Sequence, residues 1–278
     1  MNERNIKRLV RGRRTSDGAG VRLVRVLAND TVEDFDPFLM LDSFDSTDPA
    51  DYIAGFPMHP HRGIETITYL LAGRIDHEDS LGNKGSIRDG ESQWMASGNG
   101  ILHQEMPQPS ERMLGFQLWL NMPRSEKMSH PSYLSITPHM IGRTHSGGAK
   151  LGVLSGRYGD TQGVTTGHIQ ATLIDVDLPK GESIKLDTKA GETVFVFLLK
   201  GDAQIGGQAV AEKSAVLFGD GDYVQVSAMP DQDLRFMVFS GKPLHEPVAW
   251  GGPIVMNTRA ELDLAFQELR EGTFIKHG

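Results

Sequence analysis

The chain has no cysteine in its 278 residues. That absence excludes disulfides, thiolate-bound metal and a cysteine nucleophile together, and it suits a reducing compartment. No apolar run approaches the ~18 residues a membrane-crossing helix needs. Phosphate-cradling glycine loops, a G-x-S-x-G elbow and a dinucleotide fingerprint are all missing, so the common nucleotide and serine-hydrolase chemistries have no foothold. Positive charge is in deficit: 28 Lys and Arg against 36 Asp and Glu leave a net charge of −8. An acidic surface repels phosphate backbones, so direct nucleic-acid binding is not expected. The basic opening MNERNIKRLVRGRR lacks the continuous apolar stretch of a secretory signal and reads as a surface strand with solvated arginines. A cytoplasmic location without a membrane partner is the resulting expectation.

Glycine is plentiful, at 32 residues, and 14 prolines accompany it. Glycine supplies the positive φ of tight turns, so many turns and few long helices are expected. Short β-branched runs recur between glycine turns. Ile64 to Leu71 is one and Glu192 to Lys200 another, with turns at Gly73, Gly82, Gly90, Gly181 and Gly219 to Gly221. This spacing predicts antiparallel sandwiches or barrels. One helix is predicted over 258–271: Thr258 and Glu261 form a capping box, Leu262, Phe266 and Leu269 share a face, and Gly272 stops it.

The chain also resembles itself. Gly63 to Leu71 matches Ala190 to Leu198, and each stretch runs into a glycine turn, Gly73 and Gly201, with one residue of slippage. Two tandem antiparallel barrels in an all-β fold with a short C-terminal helix account for this. The expected division is 1–130 and 131–278, with the join in the proline-bearing stretch Ser125 to Gly148.

Two short patterns carry chemistry. In His59-Pro60-His61 and in His103-Gln104-Glu105, residues i and i+2 of a strand point to one face. Pro60 cannot donate to a ladder, which puts the first pattern at a strand start or edge. The turn Ser97-Gly98-Asn99-Gly100 reverses the chain just before the second. Adjacent strands would bring three nitrogens and one oxygen around a single ion. That set suits Fe(II) first, with Mn, Co, Ni, Cu or Zn as alternatives, and leaves coordination positions open. Aligning Glu65 with Glu192 puts Leu186 and Thr188 where the first barrel has His59 and His61, so the second barrel is expected to hold no metal.

The segment His59 to Pro107 closely resembles the pirin signature. Its HPHRG-x-ET, HEDS and QWM-x-(A/S)-G-x-GI-x-H-x-E-MP elements occur in order, and the tail Glu246 to Thr258 resembles the pirin C-terminal segment. The resemblance implies two cupin domains of jelly-roll type. It also implies an iron-type metal on His59, His61, His103 and Glu105, and flavonol (quercetin) 2,3-dioxygenase activity with a small aromatic substrate and O2. Glu105 would take the substrate proton. The alternatives are a metal-bearing redox sensor read by a protein partner, as for the transcriptional co-regulators of animals, or an oxygenase of another small phenolic. Glu65 is expected to orient a histidine or Arg62, or else to form a surface ion pair. Asp76 to Asp79 reads as a solvated hairpin rim, Trp94 and Met95 as barrel packing, and Phe56 and Met58 as core or pocket mouth. His130, His139, His145, His168, His245 and His277 receive no role.

Overall fold

Alternating and β-branched segments assemble into two sets of antiparallel sheets in the computed structural model, which describes residues 1–276. His277 lies outside the described residues. One seven-stranded sheet runs, edge to edge, Ser132–Ile136, Ser92–Ala96, Ile64–Ala72, Met113–Asn121, Phe38–Ser46, Val21–Leu27 and Arg13–Asp17. It is paired with a four-stranded sheet of Phe56–His61, Ile101–Gln108, Arg74–Asp79 and Lys84–Ile87. The other seven-stranded sheet runs Ile6–Arg11, Ser214–Phe218, Thr193–Lys200, Leu234–Gly241, Thr172–Leu178, Ala149–Ser155 and Gly142–Ser146. Its four-stranded companion is Ser183–Asp187, Tyr223–Ala228, Ala203–Ile205 and Gln208–Val210. Strand for strand the two orders correspond, as the internal repeat predicts.

The compact units differ from a cut at residue 130. One contains Met1–Arg13, Glu33–Pro37 and Pro138–Pro243; the other contains Arg14–Val32, Phe38–Thr137 and the chain from Leu244 onward. Both ends of the chain therefore leave the half that their position suggests, and pairing explains each case. Strand Ile6–Arg11 fills the sheet edge beside Ser214–Phe218. Its leading Arg4 is buried rather than solvated, donating to Thr188 Oγ1 at 2.7 Å, Gly219 O at 2.7 Å and Lys189 O at 2.8 Å. Helix Arg259–Glu271 buries Leu262 and Ala265 in a cluster with Ile254, Met256 and Phe274. Its capping box is formed as the sequence predicts, and Gly272 closes it at φ 71°.

The two cores are distributed differently. In the unit around Pro138–Pro243, one large cluster of aliphatic and aromatic residues occupies the barrel, including Ile184, Leu186, Val194, Val196, Val216, Val224, Val226 and Val238. In the other unit the apolar cluster of Val21, Leu23, Phe44, Tyr52, Leu70, Ile75, Ile87 and Met113 is smaller. A second small apolar cluster joins Leu39, Met40, Ile64, Trp119 and Val255, and buried polar side chains such as His61, Thr66, Thr68, Gln93, His103 and Glu105 accompany them. No helix among the described residues is long and apolar enough to cross a membrane.

Candidate metal centre

Strands Phe56–His61 and Ile101–Gln108 are antiparallel neighbours, with His103 directly across from His59 and Ile101 across from His61. Cross-strand partners share a face, so the three imidazoles meet by pairing alone. Their ligand nitrogens lie within 4.8 Å of one another. Ring centroids are 4.4 Å apart for His59 and His103, 4.8 Å for His59 and His61, and 5.0 Å for His61 and His103. The turns at the strand ends require glycine: a Cβ on Gly63, at φ 77°, would meet Val255 O at 2.1 Å, and one on Gly98 would meet Ser129 O at 2.2 Å.

The hydrogen bonds fix which nitrogens face inward. His59 Nδ1 lies 2.9 Å from Pro57 O, and His61 Nδ1 lies 3.0 Å from Pro253 O. A carbonyl only accepts, so both Nδ1 atoms carry the proton and both Nε2 atoms are left with lone pairs. Those Nε2 atoms are only 3.0 Å apart. Two facing lone pairs repel unless a cation lies between them. His103 is buried with neither ring nitrogen hydrogen-bonded, an orphaned donor set that a proton shared by two rings would not satisfy. Burial, reinforced by neighbouring His59, pushes His61 down to about 3. Burial likewise lowers His103 well below the usual histidine range, with His61 and His59 adding to it. Imidazoles kept neutral are the form that binds metal, and the residues present fit a divalent ion of the kind nitrogen donors prefer.

Glu105 is outside this three-histidine group. A register shift separates it from His103, and it lies across from His77 in Arg74–Asp79. Its carboxylate is buried; Oε1 accepts from Thr68 Oγ1 at 3.0 Å, and Oε2 accepts from Gln117 Nε2 at 2.6 Å. Burial raises its pKa, while His59, Gln117 and Thr68 pull the other way. Glu65 is buried rather than at the surface, and it accepts from Trp94 Nε1 at 3.1 Å. Arg62, the candidate partner, pairs with Glu268 at 2.7 Å, donates to Asn99 O and Phe274 O at 2.8 Å, and lies 4.2 Å from the Phe274 ring centre. The stretch 76–79 is not a wholly solvated rim. His77 is buried, stacked on Tyr133 and 2.7 Å from its hydroxyl, and Asp79 accepts from Leu81 N, Asn83 N and Asn83 Nδ2. Asp76 and Glu78 do face outward, towards Arg74 and Lys84.

A cavity of about 740 Å³ opens beside His59 and His61. Phe56, Met40, Trp119 and Trp250 give it an apolar wall; Asp17, Arg25 and Asp42 give it a polar one. Arg25 grips both oxygens of Asp42 at 2.9 and 2.7 Å and reaches Asp17 at 2.6 Å. Met58 is largely outside the packing, 48% exposed. Sequence reasoning missed Gln117, Trp119 and the Pro253 carbonyl, because isolated Gln, Trp and Pro residues carry no spacing signal. It also missed Lys127, which is buried yet donates to Gly63 O at 2.7 Å, Asn121 Oδ1 at 2.6 Å and Val255 O at 2.9 Å. Burial pushes its pKa down to about 7, but three acceptors call for three N–H groups, so the cradle suits the ammonium form.

Comparison with known proteins places this geometry. The family model described as Pirin matches residues 20–120, and that described as Pirin C-terminal cupin domain matches residues 173–275. The chain belongs to the pirin family. A pirin-like protein of Caulobacter vibrioides is 42% identical over 275 residues, covering 98% of this chain and 99% of the relative. Among solved structures, quercetin 2,3-dioxygenase from Acinetobacter baumannii superposes with a TM-score of 0.89 at 30% identity, covering 98% of this pirin and 99% of that chain. The pirin of Escherichia coli in complex with nickel(II) matches with a TM-score of 0.64 at 25% identity, covering 85% of this chain and 98% of that one. Both barrels of this pirin are thus cupin domains, and the histidine cluster lies in the one matched by the first model.

Proposed function

We propose that this pirin is a metal-dependent dioxygenase that opens the heterocyclic ring of a flavonol such as quercetin with O2 and releases carbon monoxide. The metal, Fe(II) in first place, would be held by His59, His61 and His103, with Glu105 as the fourth donor. The observation that carries the reading is the pair of Nε2 lone pairs held face to face by backbone carbonyls, beside a cavity with an aromatic wall. The Acinetobacter dioxygenase and the nickel-bound E. coli pirin lend it support.

When bound, a divalent metal supplies Lewis acidity that lowers the pKa of a coordinated hydroxyl. The chain does the rest. Trp119, Trp250 and Phe56 offer flat apolar surfaces to a planar ring system, which shields the reacting face from water. Asp17 and Arg25 offer hydrogen-bond partners to peripheral hydroxyls. Glu105 is a buried carboxylate with a raised pKa, which makes it a competent acceptor for the proton of the flavonol 3-hydroxyl.

The test is to load chelator-stripped protein with Fe(II), Mn(II) or Ni(II) and follow quercetin absorbance beside a working control enzyme. Metal-dependent bleaching with carbon monoxide release is the expected result. No loss of quercetin with any bound metal would overturn the activity. Pull-downs with the Fe(II) and Fe(III) forms would then test the protein-binding alternative.

A further inference from the structure

Gln117 stands in Met113–Asn121 directly across from Thr68, and the two side chains share the barrel interior. An amide can point either way; here its surroundings leave one choice. Trp119 Nε1, which can only donate, lies 3.2 Å from Gln117 Oε1. The amide oxygen must therefore face Trp119, and the amide nitrogen must face away from it. That nitrogen then donates to Glu105 Oε2 at 2.6 Å and lies 3.1 Å from Thr68 Oγ1, while the Thr68 hydroxyl donates to Glu105 Oε1 at 3.0 Å. Each carboxylate oxygen thus receives one donor and keeps a lone pair for another partner. Trp119 also stands edge-on to His61, with ring centres 5.0 Å apart, and lines the cavity with Gln117.

We infer that Gln117 is a positioning residue: locked by Trp119, it holds the Glu105 carboxylate in the orientation from which that group serves the metal. The inference rests on the metal reading above. Groups that orient a metal-binding carboxylate typically change metal affinity 10- to 100-fold when lost. The Trp119–Gln117–Glu105 chain also joins the aromatic wall to the glutamate through consecutive hydrogen bonds.

The test uses full-length protein stripped by chelator and titrated with Co(II), reading affinity by calorimetry and ligand geometry by the d–d absorption bands. Thermal melts of the metal-free proteins report folding separately. Wild type is expected to take up one Co(II). Q117L keeps the bulk but removes the donor; its affinity should fall about 10- to 100-fold and its d–d bands should shift. W119F keeps the ring but frees the amide to turn, and should produce a smaller change of the same sign. A merely structural Gln117 would lower the melting temperature and leave the bands alone. Wild-type affinity and unchanged bands in folded Q117L overturn the inference. Should Q117L not fold, unchanged bands in W119F overturn it. A wild-type protein that takes up no Co(II) removes the metal reading itself, and this inference with it.

Discussion

The two barrels share a strand order but fill their interiors with opposite chemistry. Counting back from the closing glycines Gly73 and Gly201, Thr66 and Thr68 correspond to Val194 and Val196. Their cross-strand partners follow suit: Gln93 and Gln117 flank Thr68, whereas Val216 and Val238 flank Val196. On the four-stranded sheets, His103 pairs with His59 where Val224 pairs with Leu186. The valine barrel gains dispersion and apolar burial at every one of these positions. The other barrel keeps buried polar atoms without partners: both nitrogens of His103, Thr66 Oγ1 and Gln93 Oε1. Unsatisfied buried groups lower stability, and at His103 a bound cation would supply the missing partner.

The sharpest way to break this contrast is to make the first interior resemble the second. H103L should lower Co(II) or Fe(II) affinity more than about 100-fold, measured by calorimetry. The metal-free variant should nonetheless be more stable than metal-free wild type, by about 1 kcal/mol, because an unsatisfied ring is replaced by an apolar one; urea melts of both check this. K127M removes the donor to three buried acceptors around the metal strand and should cost about 3 kcal/mol, again in urea.

Acid sharpens the contrast further. His61 without metal has a folded pKa pushed down to about 3 from the usual 6.5. Unfolded chain therefore binds the proton first, so stability present above pH 6.5 is lost as pH falls towards 3. The loss should reach about 2 kcal/mol by pH 5. Melts of chelator-treated protein from pH 7.5 to 5 should show it, and H61L should flatten the slope. The reverse exchange tests the other barrel: V196T places a hydroxyl among valines with no acceptor and should cost about 1–2 kcal/mol, read in the same melts.

Much of this was legible one residue at a time. Strand periodicity, glycine turns and the doubled segment pointed to two all-β barrels, and the capping box at Thr258 and Glu261 located the helix. The i, i+2 spacing of His59 and His61 put two imidazoles on one face, because a strand has a period of two. Glu105 shows what that rule leaves out. It has the right spacing from His103, yet a register shift lies between them, and its oxygens are held by Thr68 and Gln117. Spacing within Ile101–Gln108 cannot reveal the bulge, since the extra residue lies in the partner strand Phe56–His61, where Phe56 to His59 takes three steps against two from Glu105 to His103.

By itself, then, the sequence determined the local geometry: which segments extend, where they turn, and which side chains share a face. Tertiary structure decided whatever depends on contacts distant along the chain. Pro253, 192 residues from His61, supplies the carbonyl that fixes its tautomer. Glu268 and Phe274 hold Arg62 beside the site, and Ile6–Arg11 closes a sheet whose other strands lie more than 130 residues on. Hydrogen bonds and burial act through space, and the amino-acid order encodes those meetings only through the fold as a whole.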